Sequence, residues 1–258
     1  MRKPKVKIAY DLIGGKDKAV AIIGVSYKSN SKIAKEIIKR HKAVKSVLKK
    51  LGERKGKFRL YPVKLLAGDK DTEVIHKEHG YFLKLDPQKV FFSPREGEER
   101  QKIARMVKQG ELVLVMFCGA GPFVVAIAKN SKAEKIVGID INPEAVKYAK
   151  ENIRINKIHN AEIFLGDVRG FRGGRFDRII MPLAEGAIDY LDVAFAHSKK
   201  GTIIHLYGLS SDPLLRDFEE MTKQIAREYN FKIKILRKEK VLPYAPRVLK
   251  VRFDLKVL

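Results

Sequence analysis

Several residue types and patterns are scarce in this 258-residue chain, and each absence excludes a class of protein. Cys118 is the only cysteine, so neither a disulfide framework nor a zinc site built from cysteines can form. No apolar run reaches the roughly 18 uncharged residues that a membrane-spanning helix needs. The first residues, MRKPKVKIAYDLIGGKDK, contain no apolar segment typical of a secretory signal. The sequence therefore predicts a soluble, cytoplasmic protein.

Acidic residues are too few to balance the basic ones. The chain has 54 lysines and arginines against 30 acidic residues, a net charge of +24. Residues 1–84 alone contain 23 basic and 8 acidic side chains and so carry +15. A field of this size attracts polyanions. A lysine-rich surface with no partner remains the alternative, but the concentration of charge in the first third favours nucleic acid.

Residues 1–84 have the pattern of a small basic α+β domain. Short strands are predicted over Lys7–Ile13, Val20–Val25 and Phe58–Leu65. A long basic helix is predicted over Ser31–Lys50. Its apolar face would consist of Ile33, Ile37, Ile38, Val44, Val47 and Leu48.

Residues 85–258 instead alternate between strands and helices. This alternation predicts a mostly parallel sheet with helices on both faces, followed by a closing antiparallel pair. Asn142 and Pro143 are a strong helix start, an N-cap followed by proline. The predicted strands are Leu112–Phe117, Lys135–Asp140, Ala161–Asp167, Phe176–Leu183 and Gly201–Gly208.

A glycine turn and two acids mark the ends of these strands. Gly119 and Gly121 follow the first strand, and Asp140 ends the second, 21 residues after Gly119. This is about the spacing of an acid that binds ribose hydroxyls. Asp167 ends the third strand. An ordinary strand-to-helix turn would explain the glycines alone, but the two aspartates favour a nucleoside site.

The glycine turn lacks two features that bind a pyrophosphate, a third glycine and a full set of N–H donors. Val124 stands where the dinucleotide motif has its third glycine, and Pro122 removes an N–H donor from the helix start. A nicotinamide cofactor is therefore disfavoured. S-adenosylmethionine has a nucleoside but no phosphate, and it is the predicted ligand. Val115 departs from the acid that many such enzymes carry late in the first strand.

An ordered set of motifs extends over nearly the whole chain: FFSPREGEERQKIA, MFCGAGPF, GIDINPEAVKYAKENIRIN, DVRG, DRIIMPL and YAPR. Together they resemble the archaeal and eukaryotic tRNA guanine-N1 methyltransferases that act at position 37. A sister family, which transfers the aminocarboxypropyl group of the same cofactor, usually lacks the arginine after Ser-Pro and has histidine at the place of Pro122. Arg95 and Pro122 in this chain therefore favour methyl transfer.

The resemblance implies a class I, Rossmann-like methyltransferase domain (85–258) behind a basic RNA-binding domain (1–84), active as a monomer on tRNA and without a membrane. It implies Glu99 as the base that removes the N1 proton and Arg59, predicted to lie in a strand, as the donor to O6. The implied cofactor residues are Arg100, Phe117, Gly119, Gly121, Asp140, Ile141, Asn142, Asp167, Val168 and Pro182.

Other roles stay open for three of these residues. Acids such as Glu99 at a helix start also stabilise the helix dipole. Arg100 either binds the cofactor carboxylate or lies on the surface. Phe117 either stacks on adenine or packs in the core.

Pro182 is the main departure from the family pattern. The methyltransferases usually carry Asn-Leu-Pro after the methionine, whereas Pro182 offers only its carbonyl. Aminocarboxypropyl transfer, a methylated wyosine intermediate as acceptor, or a lowered rate are all compatible with this change. A non-catalytic RNA-binding module is the third hypothesis.

No metal is assigned. His76 and His79 have a spacing typical of metal ligands, but their segment does not read as a helix. His205, in an apolar strand, is expected to be a core histidine.

Overall fold

A computed structural model describes residues 9–27 and 31–258, and it divides into two compact units, Met1–Glu98 and Glu99–Leu258. The division lies further along the chain than the boundary that the sequence predicts after residue 84. The hairpin of residues 74–85 belongs to the first unit, where its strand Val74–Glu78 contacts the strand Tyr10–Gly14.

The first unit is built on a four-stranded sheet in the order β1-β2-β3-β4. Strands β2 and β3 are parallel, and the other two pairs are antiparallel. The elements are β1 (Tyr10–Gly14), β2 (Ala19–Ile23), α1 (Ser31–Arg40), β3 (Val44–Lys50), β4 (Val63–Gly68), and the hairpin β5 (Val74–Glu78) and β6 (Tyr81–Leu85).

The predicted long helix is wrong in its second half. Helix α1 ends at Arg40, and Val44, Val47 and Leu48 lie on β3 instead. These side chains are buried because β3 pairs on both sides, with β2 and with β4. The pairing partners lie elsewhere in the chain, so the local pattern could not reveal them.

Two strand predictions also change. The strand predicted from Phe58 corresponds to β4, which begins only at Val63. Strand β1 begins at Tyr10, and Lys7 lies outside the described residues. The strand predicted over Val20–Val25 is β2 and ends at Ile23.

The second unit is a seven-stranded sheet in the order β12-β13-β11-β10-β7-β8-β9. The five strands from β7 to β11 run parallel, and β13 and β12 close the edge antiparallel, which confirms the predicted fold class. The strands are β7 (Leu112–Met116), β8 (Lys135–Asp140), β9 (Ala161–Leu165), β10 (Phe176–Met181), β11 (Ser198–Ser210), β12 (Ile233–Ala245) and β13 (Val248–Val257).

Both faces of this sheet are buried. On β7, Leu114 and Met116 belong to one apolar core, and Val113 and Val115 belong to the core on the opposite face. Such two-sided burial explains why the strand reads as a continuous apolar run. The helices are α2 (Gly97–Met106), α3 (Pro122–Asn130), α4 (Pro143–Ile155), α5 (Leu191–Ala196) and α6 (Arg216–Glu228).

The strand order reverses at β7. The chain runs from β7 outward through β8 to β9 and then returns to place β10 on the other side of β7. Ligands of open parallel sheets bind outside the carboxyl ends of the strands at such a switch point. The loops that follow β7 and β10 are therefore the first place to search for a site. Among the described residues, no helix is long and apolar enough to cross a membrane.

Candidate functional site

The loop after β7 is tightly folded. Phe117, Gly119 and Gly121 all have positive φ, at 54°, 58° and 80°. The Gly121 N–H bonds the Cys118 carbonyl at 2.9 Å. A Cβ added at Gly121 would lie 3.2 Å from the Ala149 Cβ, so this glycine also permits close packing against α4.

Asp140 anchors this loop from the end of β8. Its Oδ2 accepts the Gly119 N–H at 2.7 Å, and its Oδ1 accepts the Asn142 N–H at 2.9 Å. Burial raises the pKa of the Asp140 carboxyl above its ordinary value, although the backbone N–H groups oppose that effect. A carboxylate has about four lone-pair sites, so these backbone bonds leave capacity to accept a hydroxyl donor.

The residues around Asp140 and Asp167 are held in two capped turns. Asn142 is buried and caps α4 by accepting the Glu144 N–H at 3.0 Å, while Ile141 before it is half-buried. Asp167 is exposed, and its Oδ1 accepts the Arg169 N–H at 2.9 Å. Val168 beside it is buried in the core.

Phe117 is half-buried and makes an aromatic contact that the sequence did not predict. Its ring meets the Tyr190 ring edge-on, with centroids 4.9 Å apart. The Arg169 guanidinium lies over the same Tyr190 ring, 3.8 Å from its centroid. Tyr190 therefore joins the loop after β7 to the turn after β9, and both interpretations of Phe117 remain compatible with this position.

Glu99 is buried in the first turn of α2, with 5% of its surface exposed. Its Oε1 accepts the Tyr207 hydroxyl at 2.7 Å and also a bond from Arg252. The Tyr207 ring in turn contacts Phe123, which follows Pro122 in the loop–helix junction. Glu99 therefore packs toward the start of α3.

Arg100 and Arg59 are the two cations among the implied site residues. Arg100 is fully buried at 1% exposure, so its interpretation as a surface residue is wrong. Arg59, in the N-terminal unit, does not lie in a strand. It occupies a tight turn with φ of 51°, and its N–H bonds the Gly56 carbonyl at 3.1 Å. Gly56, with φ of 70°, favours a turn at this point, which the strand prediction overlooked.

Pro182 lies directly after β10 and is half-buried. Its carbonyl is 3.5 Å from the Nζ of Lys250, a buried residue of β13. The Lys250 ammonium also lies over the face of Tyr207, 5.0 Å from the ring centroid. Lys250, Tyr207 and Arg252 were not predicted as site residues, because their strands read only as apolar or alternating segments.

The histidines take structural positions. His205 is buried and bonds Asp254 and Arg178, which confirms the prediction of a core histidine. His76 lies on β5, and its Nδ1 is 3.2 Å from the Gly14 carbonyl. His79 lies in the following turn, with its Nε2 3.4 Å from Glu98.

Comparison with known proteins identifies the family. The profile of the TRM5/TYW2 methyltransferase domain matches residues 74–236. The chain belongs to the TRM5/TYW2 methyltransferase family. The resemblance found in the sequence is thereby confirmed.

Relatives occur in both branches of the TRM5/TYW2 family. The chain is 38% identical over 254 residues to the tRNA (guanine(37)-N(1))-methyltransferase Trm5b of Pyrococcus abyssi, covering 96% of this chain and 74% of the relative. It is 35% identical over 224 residues to the tRNA(Phe) (4-demethylwyosine(37)-C(7)) aminocarboxypropyltransferase of Methanocaldococcus jannaschii, covering 86% of this chain and 89% of that protein.

Solved structures of TRM5/TYW2 proteins share the fold. The complex of aTrm5 with tRNALeu matches with a TM-score of 0.86 at 33% identity, covering 98% of this chain and 72% of that one. The TYW2 of Pyrococcus horikoshii in complex with MeSAdo matches with a TM-score of 0.82 at 32% identity, covering 97% and 90%.

The observed residues fit a nucleoside cofactor without phosphate. Among the described residues, no cation pairs with the Asp140 carboxylate, so its remaining lone pairs suit neutral hydroxyl donors. Pro122 opens α3 without an N–H, which reduces the donors that a phosphate would require. This chemistry agrees with S-adenosylmethionine better than with a dinucleotide.

Proposed function

We propose that this protein transfers a methyl group from S-adenosylmethionine to N1 of guanine 37 in tRNA. The observation that carries the proposal is the buried carboxylate of Glu99, packed toward the loop–helix junction at the switch point. Similarity to Trm5b proteins over nearly the whole chain supports the acceptor.

The implied cofactor residues would form two groups, one for the nucleoside end of S-adenosylmethionine and one for its methionine end. Asp140 would accept the ribose hydroxyls, and the half-buried Ile141 and Phe117 would contact the adenine with Asp167 and Val168. Arg100, Gly119, Gly121, Asn142 and Pro182 would surround the methionine end and hold the loops in shape. When bound, S-adenosylmethionine supplies a sulfonium methyl whose bonding electrons stay on sulfur.

Guanine N1 carries a proton at neutral pH, so the site must remove it. In the proposed reaction the N1–H bond breaks, its electron pair forms the N1–methyl bond, and the proton passes to Glu99. Both bonds that Glu99 accepts within the described residues end on Oε1, so Oε2 is the oxygen that meets the proton.

Negative charge develops on O6 as N1 loses its proton. A cation at O6 would stabilise this charge most strongly in the transition state. We assign this role to Arg59. The tight turn from Gly56 fixes the backbone conformation of this residue. The assignment rests on the family resemblance and requires that the first unit deliver this turn to the acceptor.

The RNA-binding role falls to residues 1–84, which carry +15. Surface lysines of α1 and of the loops would bind backbone phosphates of the tRNA and so position the anticodon loop. Residues 85–258 would carry out the methyl transfer. We further propose that the protein acts as a monomer in the cytoplasm.

A second acceptor is supported by specific observations. The Taw21 of Saccharolobus solfataricus, a tRNA 4-demethylwyosine(37)-methyltransferase, is 37% identical over 194 residues, covering 73% of this chain and 74% of that protein. In addition, Pro182 replaces the usual asparagine, so its side chain makes no hydrogen bond to the acceptor. Methylation of a tricyclic guanine derivative is therefore the alternative, with aminocarboxypropyl transfer as the third outcome.

Mass analysis of tRNA nucleosides after incubation with S-adenosylmethionine distinguishes these outcomes. We expect N1-methylguanosine from a transcript with guanine 37 and no product from the matched transcript with adenine 37, which has no O6 and no N1 proton. A product only from tRNA that already carries 4-demethylwyosine would favour the alternative acceptor. An added aminocarboxypropyl group, or no product from any tRNA, would refute methyl transfer.

A further inference from the structure

A row of hydrogen-bonded polar and charged side chains runs through the buried part of the second unit. At one end, Glu99 accepts bonds from Tyr207 and Arg252, both of which are fully buried. None of its members beyond Glu99 has a role in the function proposed above. The row consists of Glu99, Tyr207, Arg252, Asp254, His205, Arg178 and Glu111.

Arg252 bridges two carboxylates. While one terminal nitrogen bonds Glu99, its Nε donates to Asp254 Oδ1 at 2.7 Å and its other terminal nitrogen donates to Oδ2 at 3.2 Å. Burial by itself would raise the pKa of Asp254, but the bonds from His205 and Arg252 outweigh it and lower that pKa to about 2. Asp254 therefore stays ionised and holds the guanidinium in place.

His205 continues the row as a neutral ring. Its Nδ1 lies 2.6 Å from Asp254 Oδ1, and its Nε2 lies 2.7 Å from an Arg178 nitrogen. A guanidinium can only donate, so Nε2 must be the acceptor and Nδ1–H the donor. Burial also lowers the pKa of His205, which agrees with this tautomer. Arg178 is itself paired with Glu111 through two bonds of 2.6 and 2.9 Å.

Oε2 of Glu99 is the one carboxylate oxygen of the row that accepts no hydrogen bond within the described residues. Three carboxylates and two guanidiniums give it one net negative charge. A proton on His205 Nε2 would displace the Arg178 donor, and a proton on Asp254 would disturb the fork to Arg252. A proton on Oε2 of Glu99 leaves both bonds to Oε1 intact.

Two further cations, Lys250 and Arg100, are buried in the same unit as Glu99. Lys250 stands over the face of Tyr207 rather than on the carboxylate, with its Nζ 5.0 Å from the ring centroid. Arg100 is its buried chain neighbour. Tyr207 and Arg252 are therefore the groups of the second unit that bond Glu99 directly.

We propose that Tyr207 and Arg252 are positioning residues for Glu99: they hold Oε1 and leave Oε2 to receive the proton of the acceptor. The inference rests on the proposed function, because it assumes that Glu99 takes up that proton. Two donors on one oxygen favour the charged form of a carboxylate. Loss of either donor should therefore make Glu99 harder to ionise.

The pH dependence of single-turnover methyl transfer tests the Tyr207 role. Tyr207→Phe removes only a hydroxyl, and we expect the acid limb of the profile to move upward by about one pH unit, the shift that one lost hydrogen bond to a charged group produces. On the acid limb, at pH values below the midpoints of both proteins, the rate should then be about tenfold lower in the variant, while the rate on the alkaline plateau stays close to wild type. Tyr148→Phe, a buried tyrosine of α4, is the matched control and should leave the limb unmoved.

A purely structural role would lower the rate equally at every pH, and an unmoved acid limb in Tyr207→Phe would overturn the inference. A carbon-13 NMR titration of the Glu99 carboxyl in the cofactor-free protein gives a readout that does not need activity. Its signal is identified by its loss in Glu99→Gln. We expect the same upward shift in Tyr207→Phe, and coincident titrations would again refute the proposal.

Arg252→Lys supplies the second variant. An ammonium cannot reach both Glu99 and Asp254 in the manner of the planar fork, so we expect a shift at least as large as that of Tyr207→Phe. If the wild-type protein methylates no tRNA, the proposed function fails, while the NMR titrations still decide whether Tyr207 and Arg252 control the ionisation of Glu99.

Discussion

Gly119 donates its backbone N–H to Oδ2 of Asp140 at 2.7 Å, although the two residues stand 21 positions apart in the chain. This bond joins the loop after β7 to the end of β8. The acid that is positioned to bind the ribose therefore also holds the glycine loop in shape. Loss of the Asp140 side chain should affect both the ligand and the loop.

We expect Asp140→Ala to weaken S-adenosylmethionine binding by about 1–3 kcal/mol, the usual cost of a lost hydrogen bond to a charged group. Calorimetric titration measures this affinity directly. Asp177→Ala is the matched control, because the Asp177 carboxylate also accepts a backbone N–H, that of Leu112 at 3.0 Å, but at the start of β10. Equal affinity in Asp140→Ala and wild type would remove Asp140 from the cofactor site.

Glu99→Gln should preserve tRNA and cofactor binding and lower single-turnover methyl transfer by roughly 10²–10⁴-fold, the usual range for a general base. Glutamine keeps the shape of the side chain but cannot accept the N1 proton. Glu98→Gln is the control, since the Glu98 side chain next to it is 76% exposed. A near-normal rate at saturating cofactor would leave Glu99 with only its role at the helix start.

Arg59→Ala should slow the chemical step more than it weakens tRNA binding, because charge on O6 develops mainly in the transition state. Arg59→Lys should restore the rate only in part, since an ammonium lacks the planar fork. Lys57→Ala, an exposed cation of the same loop, controls for a general loss of charge. Equal single-turnover rates in the Arg59→Ala and Lys57→Ala variants would contradict a specific role for Arg59.

The affinity for tRNA should fall steeply with salt, because the +15 of residues 1–84 releases counterions from the phosphates. We expect a slope of several units in a plot of log affinity against log salt concentration. Charge reversal of two surface lysines of α1, Lys35→Glu and Lys39→Glu, should reduce the slope. A flat salt response of the wild-type protein would show that this charge does not bind RNA.

Stability should depend on the ionisation of His205. Burial lowers the pKa of His205 in the folded protein below its ordinary value of 6.5, so below that pH the unfolded chain binds the extra proton. The stability from the neutral ring is therefore present above pH 6.5 and lost as pH falls.

His205→Gln isolates this effect. Glutamine can still donate to Asp254 and accept from Arg178, and the five other histidines are common to both proteins. Urea unfolding measures the free energy of unfolding of both proteins. We expect the excess of the wild type over His205→Gln to decrease by about 1 kcal/mol between about pH 7.5 and about pH 5.5. A pH-independent difference would mean that His205 is not held neutral.

The two units differ in how far local pattern could predict them. Strands β7 to β10 are short and apolar, and glycines or acids mark the ends of three of them, so each is recognisable within its own window of sequence. In the first unit, the segment after α1 has lysines and valines that suit a helix or a strand equally well. It becomes a strand because β2 and β4 lie on either side of it.

The same contrast holds for the site. By itself the sequence determined the parallel fold, the glycine loop, the strand-end acids and the excess of positive charge, because each of these is encoded in neighbouring residues or in composition. It could not determine which partners hold Glu99. Tyr207 and Arg252 lie 108 and 153 positions away, on strands whose pattern predicts only burial. Hydrogen bonds between strands distant in the chain depend on sheet order and register, and only the tertiary structure decided those.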